Sequence, residues 1–154
     1  MMQPEAREAY SFRSDGAVPD FDDGRIVVVM DAECALCSRA ARRIARLDRD
    51  DRVRIAPMQG ALGRALLLHY GLDADDPASW LMIEDGRAWG SLEGMARLFP
   101  RLHRAYAPMR LVWALPAGLR DWIYARIARN RYAVFGHGDL CALPDPQVQR
   151  RILR

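Results

Sequence analysis

Ile26-Val27-Val28-Val29-Met30-Asp31-Ala32-Glu33-Cys34-Ala35-Leu36-Cys37 is the stretch from which the rest of the chain is read. Ile26 to Met30 is a continuous apolar, largely β-branched run, which suits a strand buried on both faces of a parallel or mixed sheet. The short loop Asp31-Ala32-Glu33 follows. From Cys34 to about Leu47, the residues Leu36, Ala40, Ile44 and Leu47 recur at steps of three and four, which predicts a helix. Cys34 therefore falls where a strand ends and a helix begins, and Cys37 follows one turn on.

Further along, Asp48 to Asp51 reads as a charged turn and Val53 to Ala56 as a second strand. Gly60 to Tyr70 has a helical pattern, with Gly71 as its stop. Trp80 to Glu84 reads as a third strand, Asp85-Gly86 as a hairpin turn, and Arg87 to Trp89 as its partner strand. Ser91 opens a further helix with Leu92, Met95, Ala96 and Phe99 on its inner face. The order β-α-β-α-β-β-α predicts an α/β fold with a mixed sheet covered by helices. Two more helical stretches are expected at about 103–114 and 117–129, parted by Pro116, and then a tail at 136–146 that carries Cys141.

The chain has 154 residues and is 51% hydrophobic, enough for one compact domain with its own core. Residues 1–24 carry six acids against two arginines and are expected to form a flexible extension. Residues 25–146 are read as the domain and 147–154 as a basic tail. All 23 basic residues are arginine, a bias that fits a G+C-rich bacterial coding sequence and excludes lysine chemistry such as a Schiff base or a P-loop. Residues 97–131 hold eight arginines against the single acid Asp121, read first as a solvated helical surface. No nucleic-acid partner is expected. No apolar run approaches the ~20 residues of a membrane span. The N-terminus shows no secretory pattern, so the cytoplasm is the expected compartment, where a close cysteine pair is more often catalytic or metal-binding than a structural staple.

A cysteine at a helix N-terminus faces backbone N–H groups and the positive end of the helix dipole, both of which favour the thiolate. Thiolate is the species that attacks disulfides. Cys37 lies on the same helical face, one turn deeper, within reach of Cys34. The ring that the pair closes is too short to constrain the unfolded chain much, so stabilisation is the weaker explanation. Cys34 is read as the nucleophile and Cys37 as the resolving thiol. Asp31 has two readings, a proton shuttle or thiolate-tuning group and a loop residue bonding backbone N–H groups. Glu33 opposes a Cys34 thiolate if it points inward, with Arg39 and Arg42 as offsetting charges. The competing reading is a closed zinc site made by Cys34, Cys37, His137 and Cys141. A third is a partner- or membrane-surface module built on Trp113, Trp122 and Tyr124 with flanking arginines. His69 and His103 are read as structural.

These residues resemble the DCC family of thiol–disulfide oxidoreductases, named for an Asp-x-x-Cys-x-x-Cys motif that here runs from Asp31 to Cys37. The resemblance extends to Arg54-Ile55-Ala56-Pro57-Met58-Gln59 with Gly63, and to Ile83-Glu84-Asp85-Gly86-Arg87. It continues through Pro116, Arg120-Asp121, Tyr124, Ala128-Arg129-Asn130-Arg131-Tyr132, Phe135-Gly136, Cys141 and Pro144. It covers about residues 26–144. It implies a thioredoxin-like core with extra C-terminal helices and an enzyme that exchanges disulfides without a cofactor. Its partners would be a disulfide-containing protein or small thiol substrate and an unspecified reductant. Integral membrane segments are not expected, and peripheral membrane contact is left open. Two departures stand out. Met30-Asp31-Ala32 replaces the family's aromatic-Asp-Gly. Pro77 and Ala78-Ser79 occupy the neighbourhood where thioredoxins place a cis-proline. Gln59, just after the second strand, is placed either facing the cysteine loop or as a helix-start polar residue.

Overall fold

A computed structural model describes residues 3–76 and 80–154. Residues 77–79, which include the neighbourhood of the thioredoxin cis-proline, lie outside the described residues.

The apolar run becomes β1 (Ile26–Met30), buried along its whole length. It is flanked on one side by the parallel strand β2 (Val53–Pro57) and on the other by the antiparallel strand β3 (Leu81–Glu84). Strand β4 (Arg87–Gly90) follows β3 through the Asp85-Gly86 turn, giving the sheet order β2-β1-β3-β4. Both turn residues have positive φ, 49° and 72°, as a tight hairpin requires.

Alternation along β1 splits the interior in two. Ile26, Val28 and Met30 join a core with α1 (Ala35–Leu47), α3 (Ser91–Leu102) and α4 (Ala117–Phe135). Val27 and Val29 join a second core with Leu62, Leu66 and Leu67 of α2 (Ala61–His69). A side chain at Gly63 would put its Cβ 2.1 Å from the Pro57 carbonyl oxygen, so α2 crosses the end of β2 only because this residue is glycine. The result is a thioredoxin-like α/β fold with helices on both faces of the mixed sheet.

Both expected C-terminal helical stretches are present, with two differences of detail. Residues Arg104–Ala114 form a 3-10 run with no buried residue, and it contains Pro108, which has no N–H to donate. Helix α4 instead runs on to Phe135 and stops at Gly136, whose φ is 79°.

Both ends of the chain pack onto the domain. From the acidic N-terminal stretch, Phe12 is buried in the α2-side core, and the Asp15 carboxylate lies 2.6 Å from Nδ1 of His69. At the other end, α5 (Pro146–Gln149) leads to Ile152, which bridges Ile55 on the free edge of β2. Arg151 is fully buried there and donates to the Asp48 carbonyl at 2.9 Å. The bonds Ile55 N–H to Arg151 O, 2.8 Å, and Leu153 N–H to Ile55 O, 2.7 Å, cover an edge that would otherwise be open.

Candidate active site

Cys34 is the N-cap of α1, with φ −98° and ψ 126°, and Cys37 lies one turn on. The two side chains are close enough for a thiol–thiol hydrogen bond. The Cys34 side chain accepts no capping bond from the first turn of α1, so the helix acts on it through its dipole alone. The expected depth is reversed: Cys34 is 0% exposed and Cys37 is 9% exposed.

The cover over Cys34 comes from the segment expected to be a tail. After α4, residues 136–140 run back across the cysteine loop, with Cys34 and His137 in an antiparallel bridge. Backbone bonds from Ala35 N–H to Gly136 O (3.3 Å), Gly138 N–H to Glu33 O (2.9 Å) and Leu140 N–H to Ala32 O (2.8 Å) hold it down. A Cβ on Gly138 would lie 2.9 Å from Cα of Ala35. Glycine at this position is what lets the two backbones approach.

Asp31, at the end of β1, is 1% exposed and surrounded by donors. Its Oδ1 accepts from Gln59 Nε2 at 2.7 Å and from the Glu33 N–H at 2.9 Å. Its Oδ2 accepts from Arg131 Nη2 at 2.6 Å and from the Tyr132 hydroxyl. Burial pushes the carboxyl pKa up, but the Tyr132, Gln59 and Glu33 hydrogen bonds and the Arg131 charge outweigh it and hold the group below its ordinary value. Gln59 also accepts from the Ala32 N–H at 3.0 Å, so it braces the loop from the end of β2. Alanine in place of the family's glycine leaves this loop intact, because Ala32 is not among the residues with positive φ.

Arg131 is the cation of the site. It is 4% exposed, and its charge is felt by both cysteines. Arg39 and Arg42 are exposed, and so is Glu33, which therefore does not face the Cys34 sulfur. Burial first, and then Cys34, push the Cys37 thiol up to about 12, against a smaller lowering by Arg131. Tyr132 stacks on His137 with ring centroids 4.7 Å apart, tying α4 to the covering segment, and its hydroxyl is pushed up to about 12 by burial and the Asp31 bond.

Asp31, Cys34 and Cys37, the three residues expected from the sequence, lie together in the fold. Arg131 and Tyr132 join them without any role expected from the sequence, although both lie in the C-terminal signature of the resemblance. Their sequence distance from Asp31, 100 and 101 residues, hid the connection. The zinc reading does not survive the geometry: among the described residues no three His, Cys, Asp or Glu side chains converge to hold a metal, and Cys141 is exposed. Of the aromatic residues read as a docking surface, Tyr124 is buried, whereas Trp113 and Trp122 are exposed.

A thioredoxin-like fold with a paired cysteine at the start of its first helix defines the class. Residues 28–137 match the DCC1-like thiol-disulfide oxidoreductase family, and the chain belongs to that family. It is 33% identical over 127 residues to the uncharacterized protein YuxK of Bacillus subtilis (strain 168), covering 82% of this chain and 93% of YuxK. It is 28% identical over 123 residues to a chloroplastic DCC family protein of Arabidopsis thaliana, covering 79% of this chain and 72% of that protein. No solved structure gives a significant match. No helix among the described residues is long and apolar enough to cross a membrane.

Proposed function

We propose that the chain is a dithiol–disulfide oxidoreductase in which Cys34 is the nucleophile and Cys37 the resolving thiol. The observation that carries this reading is the placement of the pair at the head of α1 beside the buried guanidinium of Arg131. The Cys34 thiolate attacks one sulfur of a substrate disulfide, forming a mixed disulfide and expelling the other sulfur as a thiolate. Cys37 attacks the Cys34 sulfur, and its proton passes to the departing substrate sulfur. The Cys34–Cys37 disulfide forms and the second substrate thiol leaves; the substrate is reduced by two electrons and the enzyme oxidised by two.

The high pKa of Cys37 suits a thiol that stays protonated until the mixed disulfide forms. Asp31 acts as a positioning residue: a carboxyl held ionised by so many donors is a poor proton carrier near neutral pH, but it fixes Arg131 against the thiols. With Cys34 fully covered, attack requires the 136–140 segment to lift away. The substrate is a disulfide-bearing protein or a small thiol compound, regeneration needs an external reductant, and the cytoplasm is the setting.

The test is a redox titration of the protein, read by alkylation and intact mass. A reversible two-electron transition confined to Cys34 and Cys37, within the roughly −120 to −270 mV span of dithiol catalysts, is the expected result. A pair that never oxidises under these conditions overturns the mechanism.

A further inference from the structure

Beside the thiol pair, α1, α3 and α4 enclose a cavity of about 130 Å³. Its apolar wall includes Met30, Leu36, Trp80, Leu92, Met95 and Phe99, and Ile127, which is 48% exposed, stands at its rim. Cys37 and Arg131 also line it. Three properties narrow what the space accepts. A dry cavity of about 150 Å³ lined by Leu, Ile and Phe holds a benzene-sized molecule, so this one suits a single ring. The Arg131 Nε is buried and has no hydrogen-bond partner among the described residues, which calls for an acceptor atom. Asp31 already neutralises the Arg131 charge, so a second carboxylate would enter uncompensated, whereas a neutral oxygen would not.

We propose that this cavity is a binding site for a small, neutral, ring-sized molecule carrying one acceptor oxygen, with the ring among the apolar side chains and the oxygen on Arg131. The occupant lies against Cys37, so it also shields that thiol. The site goes beyond disulfide exchange and stands whether or not the cysteines cycle.

The experiment is an NMR titration of reduced, full-length protein carrying ¹³C-methyl methionine, with cyclohexanone as the probe. Saturable shifts of the Met30 and Met95 methyls are expected. Methylenecyclohexane, of the same shape but without the oxygen, should bind about fivefold more weakly, the loss of one hydrogen bond. Cyclohexanecarboxylate should bind more weakly than cyclohexanone. Leu92→Trp should fill the cavity and abolish the shifts, and Ala40→Leu serves the same purpose if that variant does not fold. Cys34→Ala, which cannot form the intramolecular disulfide, should still bind cyclohexanone, so a failed redox titration leaves this result standing. Absence of saturable shifts at Met30 and Met95 overturns the site. So does equal binding of the two neutral probes, tighter binding of the carboxylate, or undiminished binding in a folded filled variant.

Discussion

Arg131 and Asp31, a hundred residues apart in the chain, form a buried ion pair with Nη2 2.6 Å from Oδ2. The pair joins the last long helix to the loop that carries the cysteines. Breaking it from one side leaves an uncompensated charge in the interior. Arg131→Met is therefore expected to destabilise the reduced protein by about 3–5 kcal/mol in urea unfolding. A loss below about 1 kcal/mol would mean that the pair is solvated and does not hold the loop.

The same carboxylate makes the acid side of the stability profile steeper. Its folded pKa lies below the unfolded value of about 3.9. Its contribution is thus present above the unfolded value and is lost as pH falls through the folded one. Asp51, held at about 2 chiefly by its Arg54 bond, adds to the acid limb in the same sense. Comparison of wild type with Asp31→Asn isolates the buried group: the wild type should lose its advantage as pH drops below about 4, and the two curves should converge. Parallel curves would show that Asp31 is not held ionised.

Cys37 works in the opposite direction. Its folded pKa, about 12, lies above the ordinary thiol value, so its contribution is complete below that ordinary value and fades as pH rises toward the folded one. Because burial is the largest cause, the shift should persist in part in Cys34→Ser. In that variant, alkylation of Cys37 by iodoacetamide should keep accelerating well above pH 8.5 in the folded state and level off near there in urea. A folded-state plateau near pH 8.5 would refute a buried, disfavoured thiolate.

Gly138 lies where the 136–140 segment meets the cysteine loop, its N–H bonded to the Glu33 carbonyl at 2.9 Å. A methyl group there meets the backbone Cα of Ala35 at 2.9 Å. Such overpacking costs about 1–3 kcal/mol. If the strain is relieved by lifting the 136–140 segment, Gly138→Ala should speed Cys34 alkylation by roughly 5- to 100-fold, with a smaller loss of global stability. An unchanged rate would show that reagents reach Cys34 by another route.

The C-terminal residues should prove part of the folding unit. Arg151 and Asp48 are both nearly inaccessible, with side-chain exposures of 1% and 2%. Arg151→Ala is expected to lower stability by about 3 kcal/mol in chemical denaturation. Removal of residues 147–154 should do at least as much, because it also uncovers the β2 edge. A truncated chain as stable as the full one would return this segment to the status of a loose tail.

Local signals in the sequence were good guides where structure is local. The β-branched run at 26–30, the Asp85-Gly86 turn and the spacing of Leu36, Ala40 and Ile44 each announce an element whose period or turn chemistry is its own cause. The 103–114 stretch is helical as expected, but composition alone does not separate an α-helix from the 3-10 run that forms there, and Pro108 favours neither. Acidic residues at 1–24 suggested a free extension because polar composition outweighed single apolar residues such as Phe12, which the second core takes up.

At the site, sequence by itself determined the thiol pair, its position at a strand-to-helix junction, and Asp31 beside it, because these depend on neighbours within a few residues. Tertiary structure decided which cysteine is covered, which cation stands beside them, and what braces the loop. Residues 136–140 pair with the backbone beside the fully buried Cys34, Asp31 is paired with Arg131 from α4, and Gln59 approaches from the turn after β2. The physical reason is that burial and electrostatics act through space. A charge or a covering strand a hundred residues away affects a thiol only once the chain has closed on itself, and spacing along the sequence does not carry that distance.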